Sequence, residues 1–399
     1  MKHIVVASLF SVLHSASAQW TQLPAFPGTA RDDAASFSID CKVFVGTGMQ
    51  VGWSLTNDWW RFDVVQNDWQ QAASLPAAPR QYCTAQSVDG IGYLFGGLDA
   101  NGPLAELWAY DINTDSWTQR PPLPGAGRYA CASFVHEGKL HVVGGIVAGG
   151  DALNEVWSFD PTTDQWSQRA SLPGVGRHRA AAVSPPDGTY PLLIGGATAN
   201  YTPLNEVWQY GPSDNWVQRA PLPEARFGLS ASPTPDIIAV CGAVDNSTFR
   251  GDGHVYDPTA DAWQPWPGEG IPDARRGGTI GWSDNCSGWY FTYYGLGLDS
   301  TLTRRNDWYE SGFAFGVNEH STGPLTIFPI PATDHIRVDA RTAKGRENVT
   351  ILDAKGRSVL RVSRSDASPI GISELPAGCY TVILRQNEIH RIGRFIKLP

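Results

Sequence analysis

The stretch LNEVWSFDPTTDQWSQRASLPGVGR, at residues 153–177, is followed by LNEVWQYGPSDNWVQRAPLPEAR at residues 204–226. The two lines share their Trp, Arg and Pro positions, which indicates that one structural unit is written twice. In the first line, Asp160 and Pro161 suit the first two positions of a type I turn. The flanking segments VWSFD and QWSQR are therefore predicted to be antiparallel strands.

The same unit recurs along the whole first part of the 399-residue chain. Arginines return at intervals of 48 or 49 residues, at Arg31, Arg80, Arg128, Arg177, Arg226 and Arg275. Tryptophans keep step at intervals of 47 to 50 residues, at Trp20, Trp69, Trp117, Trp166, Trp216 and Trp263. A period this regular indicates a repeat architecture.

Each unit is predicted to contain four strands. Residues 129–136 and the segment KLHVVGG form the first two strands around a Glu137-Gly138 turn, and two more follow after a loop. Four strands with a period near 50 residues are typical of a β-propeller blade. The Gly pairs 96/97, 144/145 and 195/196 and the endings LWAYD, VWSFD and VYDP resemble the kelch family over about residues 20–316.

The resemblance implies an all-β kelch β-propeller, placed at residues 19–318, and the count of strands along the chain predicts six blades. The last unit ends at RRNDWYESG without a Trp-bearing fourth strand, whereas Trp20 at the other end has no unit of its own. We therefore predict that the N-terminal strand completes the last blade. Joining both ends in one sheet removes the open edges of the ring.

The periodic residues are interpreted as scaffold, because a side chain that recurs in every blade serves a need that all blades share. We expect the Trp series to fill the wedges between neighbouring blades. Two interpretations stand for the Arg series. Structural hydrogen bonding is favoured, and a cationic ring at the channel mouth is the alternative.

Ligand contacts are expected where one blade departs from the others, in loops at one mouth of the channel. Two positions after each repeated Arg stand Asp33, Tyr82, Ala130, Arg179, Gly228 and, counted from Arg276, Gly278. We predict a polar patch of Asp33, Tyr82 and Arg179 beside His178. Further candidates are Glu224, which precedes the repeated Arg226, Arg226 itself, and Arg276, which doubles the repeated Arg275. Solvated loop charge is the alternative interpretation for each candidate.

The favoured function is a binding module that recognises a protein or a glycan at this mouth. The sequence lacks HExxH, GxSxG, Walker and EF-hand patterns and has no clustered His and Cys, so neither catalysis nor a metal or other cofactor is expected. A second function stays open, because bacterial six-bladed kelch proteins include sialic acid mutarotases. That resemblance implies a carboxylated sugar, with Glu224 and Arg226, or Arg179 and Asp33, in the acidic and basic roles.

Two of the six cysteines occupy equivalent places in blades that become neighbours when the ring closes. Cys41 lies ten residues after Arg31, and Cys286 lies ten residues after Arg276. A disulfide across this seam is one interpretation, and it requires Cα atoms about 4.4–6.8 Å apart. Buried free thiols are the default expectation for all six.

The first residues predict export. Lys2 precedes an apolar stretch at residues 4–13, and Ala16-Ser17-Ala18 suits signal peptidase, so residues 1–18 are interpreted as a signal peptide. A buried N-terminal strand is the alternative. No later segment approaches about 20 apolar residues, so no transmembrane segment is expected.

Charge is divided unevenly along the chain. Residues 1–322 carry a net −14 and residues 323–399 a net +5. An acidic body repels phosphate backbones, so no nucleic-acid partner is expected. The basic tail is interpreted as a solvated face.

Residues 323–399 lose the repeat and alternate apolar and polar residues, which predicts a small Ig-like β-sandwich of about seven strands. The motifs Pro329-Ile330-Pro331, Leu352-Asp353 and Leu375-Pro376-Ala377-Gly378 resemble the C-terminal sorting domain of the type IX secretion system of Bacteroidota. The resemblance implies passage through the periplasm to the cell surface or the medium, with the secretion machinery as a partner. An adhesion module that stays on the protein is the alternative.

Overall fold

The computed structural model of the chain describes residues 20–185, 190–232, 237–266, 270–271, 273–283, 291–312, 326–328, 332–339, 347–352, 358–364, 368–386 and 389–398. Within these ranges all regular structure is β-strand, as predicted. The predicted signal peptide at residues 1–18 lies outside the described residues. The described part of the chain contains no helix with the length and apolarity that a membrane crossing requires.

Six four-stranded antiparallel sheets form the blades of a propeller, with the inner strands of neighbouring blades in contact all the way round. From the channel outward, blade 1 contains Ala35–Ile39, Lys42–Gly46, Trp59–Asp63 and Asp68–Ala72. Blade 2 contains Thr84–Val88, Ile91–Phe95, Leu107–Asp111 and Ser116–Arg120. Blade 3 contains Ala132–His136, Lys139–Val143, Val156–Asp160 and Gln165–Arg169.

The remaining blades follow the same order. Blade 4 contains Ala181–Val183, Leu192–Ile194, Val207–Gly211 and Asn215–Arg219. Blade 5 contains Ser230–Ser232, Ile237–Val240, Gly253–Asp257 and Ala262–Pro265. Blade 6 contains Thr279–Ser283, Phe291–Gly295, Trp308–Gly312 and, as its outer strand, Trp20–Gln22.

The N-terminal strand closes the ring. Trp20–Gln22 pairs antiparallel with Trp308–Gly312, with Trp20 opposite Ser311. Trp20 is buried and stacks on Trp266 of blade 5, with ring centroids 6.0 Å apart. The predicted six blades and the predicted closure are both confirmed.

Hydrophobic cores lie between the blades. At the first junction, Phe37 and Trp59 of blade 1 pack with Leu94, Tyr110 and Trp117 of blade 2. Comparable buried clusters occupy the other five junctions within the described residues. Large aromatic side chains suit these wedges, because each buries roughly 150–250 Å².

The repeated tryptophans tie each blade to the one before it. Each indole Nε1 donates to a backbone carbonyl of the preceding blade at 2.8–3.1 Å, for Trp69, Trp117, Trp166, Trp216 and Trp263. These donors would otherwise cost free energy in a partly buried wedge. The series therefore contributes packing and hydrogen bonds at the junctions.

The repeated arginines are buried, and each pairs with an acidic residue just before the third strand of its blade. The partners are Asp58, Glu106, Glu155, Glu206, Asp252 and Asp307, in blade order. Arg31 and Arg275 are fully buried and contact both carboxylate oxygens of their partners, at 2.6 and 3.0 Å in each case. These guanidinium groups are engaged inside the blades.

Small two-stranded sheets join the loops at one mouth of the channel. They pair Arg31–Asp32 with Met49–Gln50, Leu98–Asp99 with Gly102–Pro103, Arg128–Tyr129 with Ile146–Val147, and Arg275–Arg276 with Leu298–Asp299. Each pairing except the second links the entry of a blade to the loop between its second and third strands. These pairings hold the mouth loops in place.

The C-terminal part forms two further antiparallel sheets. One contains Thr326–Phe328, His335–Asp339 and Ile370–Gly371. The other contains Ser358–Arg364, Glu347–Leu352, Gly378–Gln386 and Ile389–Lys397 in spatial order. Both sheets contribute to one buried cluster, with Ile336 and Val338 from the first and Ile351 and Val382 from the second. The Ig-like topology stays a prediction.

Three cysteines are free thiols, at Cys83, Cys131 and Cys241. Cys41 is disulfide-bonded, so the expectation of free thiols at all six cysteines is wrong for Cys41. Cys286 lies outside the described residues, so the Cys41–Cys286 pairing stays a prediction.

Candidate functional site

One residue from each blade contributes to a closed circle of backbone hydrogen bonds at the mouth. We call these six residues the inner ring: Asp33, Tyr82, Ala130, Arg179, Gly228 and Gly277. Each N–H donates to the carbonyl of the previous ring member at 2.8–3.3 Å, and Asp33 donates to Gly277. All six have a left-handed backbone, with φ between 53° and 59°. The circle fixes how close their side chains lie.

Arg179 extends across the mouth to the opposite side of the inner ring. Its Nη2 donates to the Tyr82 hydroxyl at 2.6 Å and to Asp33 Oδ2 at 3.3 Å. Its guanidinium carbon lies 4.5 Å from the centre of the Tyr82 ring. The structure therefore brings Asp33, Tyr82 and Arg179 together, in the polar patch that the sequence predicted.

Two glycines leave room for this arrangement. A Cβ on Gly277 would lie 2.5 Å from Asp33 Oδ1, and one on Gly228 would lie 3.4 Å from Arg179 Nη1. The ring member in blade 6 is thus Gly277, two residues after Arg275. The alignment that placed Gly278 there, counted from Arg276, was wrong by one residue.

The patch contains an unused donor. Arg179 is 8% exposed, and its Nη1 has no hydrogen-bond partner among the described residues. Burial, and after it the charge of Asp33, raises the pKa of Tyr82, so the phenol stays protonated. Because the Tyr82 oxygen accepts from Arg179, its own proton is left to donate.

The position after each repeated Arg forms a second set around the mouth. We call it the outer ring: Asp32, Gln81, Tyr129, His178, Phe227 and Arg276. Backbone pairing with the loop between the second and third strands holds each member in place. Unlike the scaffold residues, these six differ in every blade, which is what recognition of an asymmetric ligand requires.

Asp32 and two arginines carry the charge of the outer ring and its surroundings. Arg304 Nε donates to Asp32 Oδ1 at 2.6 Å, and both side chains are buried. Burial, and after it the charge of Asp33, raises the pKa of Asp32 to about 6 despite this bond and the nearby Arg276. Arg276 places its guanidinium 5.3 Å from the Phe249 ring, and its Nε has no partner in the described part of the chain.

His178 is fixed and uncharged. It is 1% exposed, its Nε2 lies 3.1 Å from the Thr198 carbonyl oxygen, and its ring packs 4.8 Å from that of Tyr201. Burial, and after it the neighbouring Arg179, lowers the pKa of His178 to about 4. His178 therefore supports the mouth and adds no charge to it at neutral pH.

The channel beneath the mouth is neutral. Its cavity of about 250 Å³ is lined by uncharged residues on and next to the inner strands, most of them small. Several lining hydroxyls donate to the backbone of a neighbouring blade, such as Ser36 to the Ile280 carbonyl and Ser230 to the Gly278 carbonyl. The charged groups lie instead around a cavity of about 140 Å³ at the mouth, beside Asp33, Tyr82 and Arg179.

Glu224 and Arg226 do not join this patch. Arg226 is buried in its blade and pairs with Asp252 at 2.9 Å. Glu224 accepts from Arg226 at 3.1 Å and from Arg250 at 2.6 and 2.8 Å. Neither residue lines the mouth cavity. Of the seven predicted candidates, the structure groups Asp33, Tyr82 and Arg179, with His178 and Arg276 adjoining them in the outer ring.

Sequence reasoning missed Asp32 and Arg304, and the contact of Arg304 with Trp53. Asp32 was within reach, because it stands one residue after a repeated Arg, next to the position that was compared across blades. Arg304 and Trp53 lie in loops with no periodic signal. Their proximity is visible only in the fold, where the Arg304 guanidinium lies 4.7 Å from the centre of the Trp53 ring.

Comparison with known protein families identifies both parts of the chain. Residues 5–175 match a family described as a KLHDC2/KLHL20/DRC7 kelch-repeats domain, and residues 93–281 match the attractin/LZTR1 beta-propeller. Residues 326–397 match a secretion system C-terminal sorting domain. With the six blades, these matches show a kelch-repeat propeller that carries a sorting domain, and the chain is exported through the type IX system to the cell surface or beyond.

A solved structure described as "Structure of YjhT" has a similar fold. The TM-score is 0.60 at 21% sequence identity, and the match covers 72% of this chain and 96% of that chain. At this identity the likeness concerns the fold alone. No curated protein matches the chain.

Proposed function

We propose that this exported kelch propeller is a binding module that recognises an anionic group of its ligand at the ringed mouth. The observation that carries the proposal is the buried Arg179 guanidinium, whose Nη1 has no partner among the described residues. Leaving a charged donor unpaired inside a protein costs free energy. A carboxylate from a ligand would satisfy it.

Local charge supports an anionic ligand. Three guanidinium groups, those of Arg179, Arg276 and Arg304, face two carboxylates, those of Asp32 and Asp33. The mouth thus has an excess of positive charge within an acidic domain. Arg276 adds a second unused donor, its Nε. Two guanidinium groups suit a carboxylate, because each presents its N–H groups in a plane.

The neutral channel supports binding at the mouth rather than inside. Its lining offers hydroxyl groups already engaged with backbone carbonyls, and no charge. A ligand carboxylate would lose its hydration there without gaining a cation. The ligand of this proposal therefore contacts the rings and the surrounding loops.

A carbohydrate-active enzyme of the sialic acid mutarotase type is the second candidate. Opening a pyranose ring needs an acid at the ring oxygen and a base at the anomeric hydroxyl. The Tyr82 hydroxyl suits the role of the acid and the Asp33 carboxylate that of the base. Both accept a hydrogen bond from Arg179. The residues of this candidate are therefore Asp33, Tyr82 and Arg179, without Glu224.

Calorimetric titration of the full chain tests the binding proposal. N-Acetylneuraminate and glucuronate serve as anionic probes, with glucose as the neutral comparison. We expect only the anionic sugars to bind, and Arg276→Gln to weaken them at least tenfold, about 1.4 kcal/mol. Arg61→Gln removes a guanidinium outside the two rings, on the third strand of blade 1 where it contacts Gln70, and should change nothing.

The same samples separate the two functions. Exchange between the anomers of N-acetylneuraminate, followed by NMR, should proceed at the uncatalysed rate if the protein only binds. Acceleration that disappears in Asp33→Asn would establish the enzyme instead. Equal binding of glucose and glucuronate, or no effect of Arg276→Gln, would reject the anionic site.

A further inference from the structure

Three mouth loops end in an exposed side chain on a left-handed backbone. Trp53, Tyr201 and Leu302 occupy the same place in blades 1, 4 and 6, three residues after the position where the loop begins to pair with itself. Their φ angles are 66°, 58° and 61°. Gly150 fills the equivalent place in blade 3, with φ of 93°. Glycine is the residue that this backbone ordinarily favours.

Packing does not account for the residue in blade 1. Trp53 is 77% exposed and Leu302, at the neighbouring blade, is 66% exposed. The ring contact of Trp53 is with Arg304, at 4.7 Å. A large apolar side chain on a strained backbone that buries little of itself indicates a functional constraint.

Arg304 connects Trp53 to the anionic-ligand site. Its guanidinium faces the Trp53 ring while its Nε binds Asp32 of the outer ring. Asp32 adjoins Asp33, which contacts Arg179. A continuous set of contacts thus runs from the exposed loop tip to the centre of the mouth. The Arg304 guanidinium packs against one face of the Trp53 indole, and the rest of the ring is exposed to solvent.

We propose that Trp53, flanked by Leu302, is a stacking subsite for a sugar ring next to the anionic group held at the mouth. The ligand is then an acidic oligosaccharide and not a single sugar. This inference rests on the proposed function, because the anionic group sets where the chain of sugars begins.

The surroundings of Trp53 favour a sugar over a protein surface. A pyranose has an apolar face and a rim of hydroxyls, so it needs one aromatic ring with polar neighbours. Gln50, Ser54 and Thr303 supply such neighbours in the two loop tips. A protein partner needs roughly 800 Å² per side with an apolar centre.

A purely structural role for this cluster explains less. The Asp32–Arg304 pair joins blade 1 to blade 6 and serves ring closure, since both side chains are buried. That pair does not require a tryptophan beside it. A smaller or glycine residue at position 53 would relieve the backbone and leave the ion pair intact.

The first experiment compares long and short acidic sugars on the full chain. Sialyllactose and trigalacturonate are titrated beside N-acetylneuraminate and galacturonate, with maltotriose as the neutral trisaccharide. We expect each acidic trisaccharide to bind about tenfold more tightly than its monosaccharide. Trp53→Ala should remove that gain and leave monosaccharide binding unchanged, whereas Trp53→Phe should retain most of it. Val65→Ala, at another exposed apolar residue, is the matched control.

The second experiment separates binding from stability. Trp53→Gly removes the stacking ring and relieves the left-handed backbone. Its melting temperature should stay within about 3 °C of the wild type or rise, while the trisaccharide gain is lost. A fall well beyond that range would assign Trp53 to the scaffold and overturn the proposal.

The outcomes also distinguish this inference from the proposed function. Monosaccharide binding that depends on Arg276, with no trisaccharide gain, rejects the Trp53 subsite and leaves the anionic site. Maltotriose binding that depends on Trp53, without any acidic preference, supports stacking and rejects the anionic site. Stronger Trp53-dependent binding of an acidic, aromatic peptide than of any sugar overturns the choice of ligand.

Discussion

The inner ring shows how one backbone conformation selects its side chains. A left-handed φ costs about 1–2 kcal/mol for a residue with a Cβ. Four of the six ring members carry one nevertheless, and the hydrogen-bond circle compensates each of them. Three of those four, Asp33, Tyr82 and Arg179, are the polar residues that meet over the mouth. The strained backbone positions of the inner ring are therefore mostly the ones that carry polar side chains.

Gly277→Ala tests the close approach within the ring. The new Cβ would meet Asp33 Oδ1 at 2.5 Å on a backbone that already disfavours it. We expect a loss of about 2–3 kcal/mol in the free energy of unfolding, measured by urea denaturation. Gly52→Ala is the control, because Gly52 has φ of 82° with open space around it, and should lose about 1 kcal/mol. Equal losses would show that contact with Asp33 is unimportant.

Asp32 should titrate near pH 6, observed by carboxyl-carbon NMR. Its raised pKa means that its proton is bound more tightly in the folded chain than in the unfolded one. The contribution of Asp32 to stability is therefore present at low pH and lost as the pH rises through about 6.

Substitutions of Asp33 and Arg304 test the direction in which each residue shifts the pKa of Asp32. Asp33→Asn should lower the pKa of Asp32 by removing a like charge, and Arg304→Gln should raise it by removing a cation and a hydrogen bond. A shift of either variant in the opposite direction would contradict this account of the mouth.

At the scale of elements, the buried ion pairs hold each blade entry to its third strand. Arg275 contacts both oxygens of Asp307 and also donates to the Leu296 carbonyl at 2.9 Å. Removing one partner leaves a buried cation unpaired, which costs more than the pair itself contributes. These pairs consequently matter for keeping the mouth loops in position.

Asp307→Asn should lower the free energy of unfolding by about 3–4 kcal/mol, because Arg275 is fully buried. Asp164→Asn breaks the pair with Arg120, whose side chain is 27% exposed against 42% for Asp164, and should cost at most about 1 kcal/mol. Chemical denaturation of both variants at one pH provides the comparison. Similar small losses would mean that the Asp307 pair is dispensable.

The loops between second and third strands carry the differences among blades. Their bases are pinned by backbone pairing to the entry of the blade, as between Asp32 and Met49 or between Arg276 and Leu298. Their tips are free to vary, from Gly150 to Trp53. A rigid base with a variable tip is how a repeated element gives a single asymmetric site.

At the scale of the whole molecule, closure of the ring depends on a strand of three residues. Trp20 is 9% exposed and fills the junction between blades 5 and 6 with Trp266 and Tyr294. Without that strand, blade 6 would expose an unpaired edge. The strand Trp20–Gln22 is therefore a structural part of the propeller.

Trp20→Ala should destabilise the chain by about 3–5 kcal/mol, as expected for deleting a buried tryptophan. Trp53→Ala, at an exposed tryptophan, should leave the unfolding free energy nearly unchanged. Denaturation followed by circular dichroism measures both. If the two substitutions cost the same, the N-terminal strand does not close the ring in the way described.

Under the proposed function, export and recognition are divided between the two parts of the chain. The sorting domain directs the protein outward, and the propeller presents an asymmetric mouth. Residues 1–322 carry a net −14, and the guanidinium groups at the mouth are a local exception to this negative charge.

The repeat itself determined the blades, their number and the closing strand, because packing needs recur with the same period as the residues that meet them. The same period led to Asp33, Tyr82 and Arg179, since a position compared across blades reveals where symmetry is broken. It misplaced the ring member of blade 6 by one residue, because the doubled arginine at 275–276 offers two equal starting points.

Only the tertiary structure decided which charges share a site. Arg304 lies 272 residues from Asp32, yet ring closure places them 2.6 Å apart. Glu224 and Arg226 are near neighbours in sequence to the ring position of their blade, yet they bond elsewhere. Spacing along the chain determines which side chains one blade presents. Contacts between side chains of different blades depend on how the blades are arranged around the channel, and the local sequence pattern does not specify those contacts.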